Sequence, residues 1–173
     1  SYRLHYPLSR APRFSGRGKN YMGDITAAAP SRLREIAPTI NAVRSYLKSS
    51  PDGASELLLD FAELFLSRAP DELLVHRSTE DLASMTRGAF RFLEQSRPDR
   101  VDVAVANADE DEEEWEAPVT VIRTNVSERP FIIDSIREYL ALKGLAVERM
   151  VYPMLDVDRD DNGRVTAMRV PTD

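Results

Sequence analysis

The chain has 173 residues, 42% hydrophobic and 30% charged, with no cysteine and two histidines, His5 and His76. That composition suits a globular domain with its own core, and it excludes disulfides, thiol nucleophiles, iron–sulfur clusters and cysteine-held zinc. The net charge of −6 divides into +2 over residues 1–99 and −8 over residues 100–173; the one basic cluster lies at the N-terminus and no apolar run approaches the roughly 20 residues of a membrane helix, so neither nucleic acid nor membrane is an expected partner.

Residues 1–30 hold Arg3, Arg10, Arg13, Arg17 and Lys19 against the single acid Asp24, with no helical or strand period. They read as a basic, extended leader. Residues 31–99 read as a helical segment. Leu33, Ile36, Ile40, Val43 and Leu47 mark one helix face, with a kink or restart expected at Pro38. Ser50-Pro51-Asp52-Gly53 breaks the chain before a second helix that buries Leu57, Leu58, Phe61, Leu64 and Phe65. Pro70 opens a short turn through Leu73 and Leu74. Ser78-Thr79-Glu80-Asp81 resembles a capping box, and the helix it starts runs to about Gln95 over Leu82, Met85, Ala89 and Leu93.

After Arg100 the period changes to 2. Val101, Val103 and Val105 predict the buried side of a short strand. Seven of the eight residues Asp109–Glu116 are acids, a density that opposes regular structure and predicts a solvated loop, with Trp115 folded back onto the core. Val119–Thr124 is the next strand. A helix follows from Pro130 through Lys143, with Ile133, Ile136 and Leu140 buried and Gly144 closing it. Val147–Val157 predicts a long strand in which Pro153 marks an edge or bulge. Asp161-Asn162-Gly163 predicts a hairpin turn with two positive φ angles, and Arg164–Val170 the returning strand.

Asp158-x-Asp160-x-Asn162-Gly163 imitates the start of a calcium loop. The twelfth position is Arg169 instead of glutamate and the flanks are strand-like, so a plain turn is the better reading and no metal is expected.

The strand, helix and hairpin over residues 119–170 resemble the first part of an ACT domain, a βαββαβ module of the split βαβ kind. The motif Glu128-Arg129-Pro130-Phe131 stands where ACT domains tend to carry Asp-Arg-Pro-Gly, and Lys143-Gly144-Leu145 ends the helix in the same manner. Phe131 replaces the glycine that lets backbone approach a ligand. Arg129 through Ser135, with the later Tyr152-Pro153-Met154-Leu155-Asp156-Val157-Asp158, is similar to the N-terminal region of the large bacterial NAD-specific glutamate dehydrogenases. So is the helical stretch from Asp60 to Phe65 and from Arg77 to Leu82, giving a resemblance over about residues 54–170.

The resemblance implies an α+β fold: an N-terminal helical segment followed by a partial ACT-like (ferredoxin-like βαββ) antiparallel sheet. Residues 100–173 form that strand-helix-hairpin unit, truncated and packed with the helices as one domain. In a sheet ordered 4-1-3-2, Val101–Ala106 is expected in the fourth slot, beside the strand at 119–124, with the helices covering one face. The chain begins with Ser and stops after the hairpin, so a longer parent is expected. Its role would be that of a non-catalytic regulatory and assembly domain in a cytoplasmic NAD-dependent glutamate dehydrogenase. The parent would oxidatively deaminate glutamate to 2-oxoglutarate.

No G-x-G-x-x-G loop follows a strand, so NAD would belong to the parent and no cofactor or catalytic residue to these residues. The expected partners are the downstream catalytic domains of the same chain, further copies of it, and a candidate amino-acid effector. Such an effector would meet Asn125, Ser127, Arg129, Asp134 and Ser135, around the loop and the positive end of the next helix. The same residues have an ordinary structural reading, with Ser127 as a cap, Asp134 as a dipole partner and Arg129 exposed. The alternatives are a stand-alone ACT-like amino-acid sensor and an adaptor using the basic leader and acidic run.

Overall fold

A computed structural model describes residues 2–4, 8–9, 30–97, 100–107, 119–127 and 130–171. In chain order the elements are β1 (Tyr2–Leu4), β2 (Leu8–Ser9), α1 (Pro30–Ser49), α2 (Glu56–Leu66), α3 (Asp71–His76), α4 (Thr79–Gln95), β3 (Asp102–Asn107), β4 (Thr120–Ser127), α5 (Ile132–Leu142), β5 (Met154–Arg159) and β6 (Val165–Arg169).

The helical layer forms where caps and period agree. Ser55 caps α2, its hydroxyl accepting from the Leu58 amide at 3.1 Å, and Ser78 caps α4 by accepting from the Asp81 amide at 3.0 Å. Their apolar faces meet in a core where Phe61 stacks on Phe65 with ring centroids 5.4 Å apart and tilts against Phe90 at 5.5 Å. Leu47, Leu59, Leu66, Leu73, Leu82 and Met85 are fully buried around them. Arg32 ties α1 to the α2–α3 connection by donating to the carbonyls of Ser67 (2.6 Å) and Ala69 (2.5 Å) and to Asp71 Oδ1 (3.0 Å). α1 does not restart at Pro38. It runs unbroken through it, and the proline lies on the exposed side. Leu33, expected inside, is exposed in the first turn.

The sheet is antiparallel between neighbours and ordered β3-β4-(β1, β2)-β5-β6. β1 and β2 lie along the same edge of β4 in one register, Leu4 opposite Asn125 and Leu8 opposite Val121. Part of the expected leader is therefore a strand between β4 and β5, and those two run parallel with α5 as the crossover: a split βαβ unit. β3 takes the expected place beside β4, from Asp102 opposite Asn125 to Asn107 opposite Thr120. The 4-1-3-2 order needs correction at one slot. β1 and β2 fill the middle position, and β6 pairs with β5 instead of with β4.

One sheet face joins the helical core through Val121 and Leu155, with Val157 and Met168 packed against it. Register then puts Ala104 and Ala106 on that side and turns Val103 and Val105, 59% and 64% exposed, to the other. This reverses the burial expected of β3. The long strand expected from Val147 begins only at Met154, because Pro153 has no amide proton to give a ladder. The register shift lies instead at Asp158/Arg159. The acidic run Asp109–Glu116, Trp115 and Arg10 through Asp24 are outside the described residues.

Candidate functional site

The candidate residues gather around the junction of β4 and α5. β4 is buried from Arg123 to Val126 and emerges at an exposed Ser127. Pro130 and Phe131 form a turn, so α5 begins at Ile132 instead of Pro130. Phe131 occupies the N-cap with φ 61° and ψ 11°, and no other non-glycine residue described has a positive φ. A phenylalanine thus holds the left-handed conformation that suits the glycine of the ACT motif. Its side chain makes no cap bond; the first turn is closed by the Ser135 amide donating to the Phe131 carbonyl at 2.9 Å. At the other end Gly144, φ 70°, closes the helix as expected, with Leu145 N–H donating to the Leu140 carbonyl at 2.9 Å and Gly144 N–H to that of Ala141 at 2.9 Å.

The four described candidate residues differ in exposure. Asn125 is 0% exposed, and among the described residues neither its amide nitrogen nor its oxygen has a hydrogen-bond partner. It sits opposite Asp102, whose carboxylate accepts from the Arg97 amide at 2.8 Å and pairs with Arg100 at 2.7 Å. The buried Thr124 hydroxyl is likewise without a partner. Ser127, Asp134 and Ser135 are exposed, and Arg129 is outside the described residues. Asp134 does lie in the first turn of α5, where its charge suits the helix dipole.

None of the four described candidates lines the groove of about 360 Å³ that opens on the helical layer between Asp52, Ser55, Leu58, Arg87, Phe90 and Glu94. Burial raises the Glu94 carboxyl above its usual range, and the nearby Arg159 pulls it partly back. Among the described residues no cluster of acids or histidines could hold a metal ion. The calcium-like residues are used within the hairpin. Asp158 pairs with Arg169 at 2.6 Å, while Asp160 Oδ1 accepts from the amides of Arg164 (2.8 Å) and Asn162 (2.9 Å). Arg169 and the Arg164 amide respectively hold those two carboxyls below the usual range. Among the described residues no helix is long and apolar enough to cross a membrane.

Sequence comparison places this architecture. A family model described as glutamate dehydrogenase, ACT1 domain, matches residues 61–173. The NAD-specific glutamate dehydrogenase of Halomonas elongata is 33% identical over 111 residues, 64% of this chain and 7% of that protein. That of Pseudomonas aeruginosa is 30% identical over 105 residues, 61% of this chain and 6% of that protein. The chain therefore spans a small fraction of the length of these curated relatives. No solved structure matches it significantly. With the family model covering the chain from the middle of α2 through the hairpin, the chain belongs to the glutamate dehydrogenase ACT1 domain family.

Proposed function

We propose that this chain is a non-catalytic regulatory and assembly domain within a large NAD-dependent glutamate dehydrogenase. The observation that carries this is the match of residues 61–173 to the ACT1 domain, in relatives named NAD-specific glutamate dehydrogenase of which it spans 6–7%. In this reading the parent enzyme is cytoplasmic and converts glutamate to 2-oxoglutarate with NAD. The cofactor and the chemistry reside in downstream domains of the same chain. The work of this region is to hold subunits and transmit regulation.

The test is deletion of the region from the long enzyme. Turnover per assembled active site should be kept within about tenfold while subunit association or its regulation changes. Loss of glutamate or NAD binding in a folded, assembled deletion variant would refute the non-catalytic role. An alternative reading, a stand-alone amino-acid sensor, draws on the first turn of α5, which has no side-chain cap and carries exposed Asp134 and Ser135. It requires saturable binding in calorimetry with a panel of amino acids, and flat isotherms across the panel would end it.

A further inference from the structure

The groove on the helical layer includes no α5 residue, and its lining is ordered. Its long wall is α4, where Arg87, Phe90, Arg91 and Glu94 follow at spacings of three, one and three and so share one helix face. Leu58 and Phe90 are buried and give it an apolar floor. The facing wall is the connection Asp52-Gly53-Ala54-Ser55. Arg87 Nη1 donates to the Gly53 carbonyl at 3.3 Å, which sets the arginine end of α4 against that connection.

Charge changes sign along this wall. Arg87 and Arg91 come first, with Asp52 beside Gly53 across from them, so two arginines less one acid leave that end positive. Glu94 makes the other end negative. Burial disfavours the charged form of Glu94, so a cation brought beside it is stabilising. Arg159 lies near Glu94, but its guanidinium donates to the carbonyls of Leu93 and Gly163 at 2.8 Å each and does not line the groove.

Such a groove suits one anion and one cation joined by an apolar body. From the midpoint of Arg87 and Arg91 (residue 89) to Glu94 the helix advances about 7.5 Å. An α-amino acid holds its charges two bonds apart and cannot reach both ends. Five extended methylenes between a carboxylate and an ammonium cover roughly that span.

We propose that this groove binds an ω-amino carboxylate, its carboxylate at Arg87 and Arg91, its ammonium at Glu94 and its methylene chain on Leu58 and Phe90. The site does not rest on the assembly reading above.

Titration of the 173-residue chain with ε-aminocaproate, followed by amide NMR shifts, tests it. The shifts should saturate with a Kd of about 1 mM or tighter and centre on residues 53–55 and 87–94. γ-Aminobutyrate, too short to reach both ends, should bind at least about threefold more weakly, and caproate or hexylamine, each lacking one charge, about tenfold more weakly. Glu94→Gln should weaken ε-aminocaproate about tenfold and leave caproate unchanged. Arg87→Gln with Arg91→Gln should weaken it as much and leave hexylamine unchanged, a split that a general loss of structure does not give. Each variant should keep the helical circular dichroism of the parent. If the arginine pair fails to fold, Glu94→Gln decides by itself. Shifts that do not saturate by about 10 mM overturn the proposal. So do equal affinities for ε-aminocaproate, γ-aminobutyrate and caproate, perturbed amides away from those two segments, or a Glu94→Gln variant that binds as the parent does.

Discussion

Arg159 of β5 donates from Nη2 to the carbonyl of Leu93 in the last turn of α4, at 2.8 Å. Its Nη1 reaches the Gly163 carbonyl at 2.8 Å and that of Glu94 at 3.4 Å. One guanidinium therefore joins the end of a helix, where carbonyls lack helical partners, to the hairpin turn. Arg159→Ala should lower stability by about 1–3 kcal/mol, the range for charged hydrogen bonds to part-buried groups. Arg159→Lys should recover less than half of that, since a single ammonium cannot span the same carbonyls. Urea titration of the three proteins decides it, and equal midpoints would refute the linkage.

Phe131 is 77% exposed, so its ring gains little from burial, while its backbone sits in the left-handed region at a cost of roughly 1–2 kcal/mol. Glycine removes that cost but adds about 0.5–1 kcal/mol of chain entropy to the unfolded state. Phe131→Gly should therefore raise stability by up to about 1 kcal/mol, and Phe131→Ala should change it little. The check is the denaturation midpoint at unchanged slope. A glycine variant clearly less stable than the parent would mean the turn is held differently.

Asn125 shows a buried carboxamide with neither end paired among the described residues. Leaving such a group unsatisfied costs about 1–3 kcal/mol. Asn125→Val keeps a strand-forming residue and removes the polar atoms, so it should raise the melting temperature. If an effector uses the amide, the same variant should lose the thermal shift that effector gives the parent. A strongly destabilised Asn125→Val would show that the amide has a partner after all.

These positions show how far the sequence could be read. Ser78 announced α4, and the stripe after the Ser50–Gly53 breaker announced α2, because a cap, a breaker and a 3.6-residue period are local information. The β3 valines were placed on the wrong side because alternation says which residues share a face, not which face another layer will cover. β1 and β2 were invisible as strands: segments of three and two residues are too short to display a period. The glycine-for-phenylalanine departure at position 131 was legible, but not that the backbone keeps the glycine conformation. Asn162 was expected at positive φ. In the hairpin only Gly163 is left-handed, at 80°, because the Asp160 carboxylate and carbonyl gather the turn amides around an ordinary first bend.

Acid should act on that hairpin. Asp158 and Asp160 have carboxyls held below their unfolded range, by Arg169 and by the Arg164 amide respectively. Their contribution is present above the unfolded carboxylate pKa of about 4 and is lost as pH falls through the lower folded value. Glu94 is raised by burial, so its protonation favours the folded state and works in the opposite sense. Amide exchange of β5 and β6, referenced to a pH-matched peptide, should show protection falling below about pH 4. Asp158→Asn should flatten part of that dependence. A profile identical in the variant would count against the Arg169 pairing.

The aromatic centre of the helical layer is the costliest place to cut. Phe61 is fully buried between Phe65 and Phe90, and Phe61→Ala should cost about 3–5 kcal/mol. Thermal unfolding would record this as a loss of well over 5 °C in a domain of this size.

β1 meets β4 near residue 125 and β5 near residue 155. β1 must consequently wait for more than a hundred further residues before finding either neighbour. Contacts so distant along the chain make for slow closure. During synthesis the helices can collapse early, while β1 finds its second neighbour only once β5 has emerged.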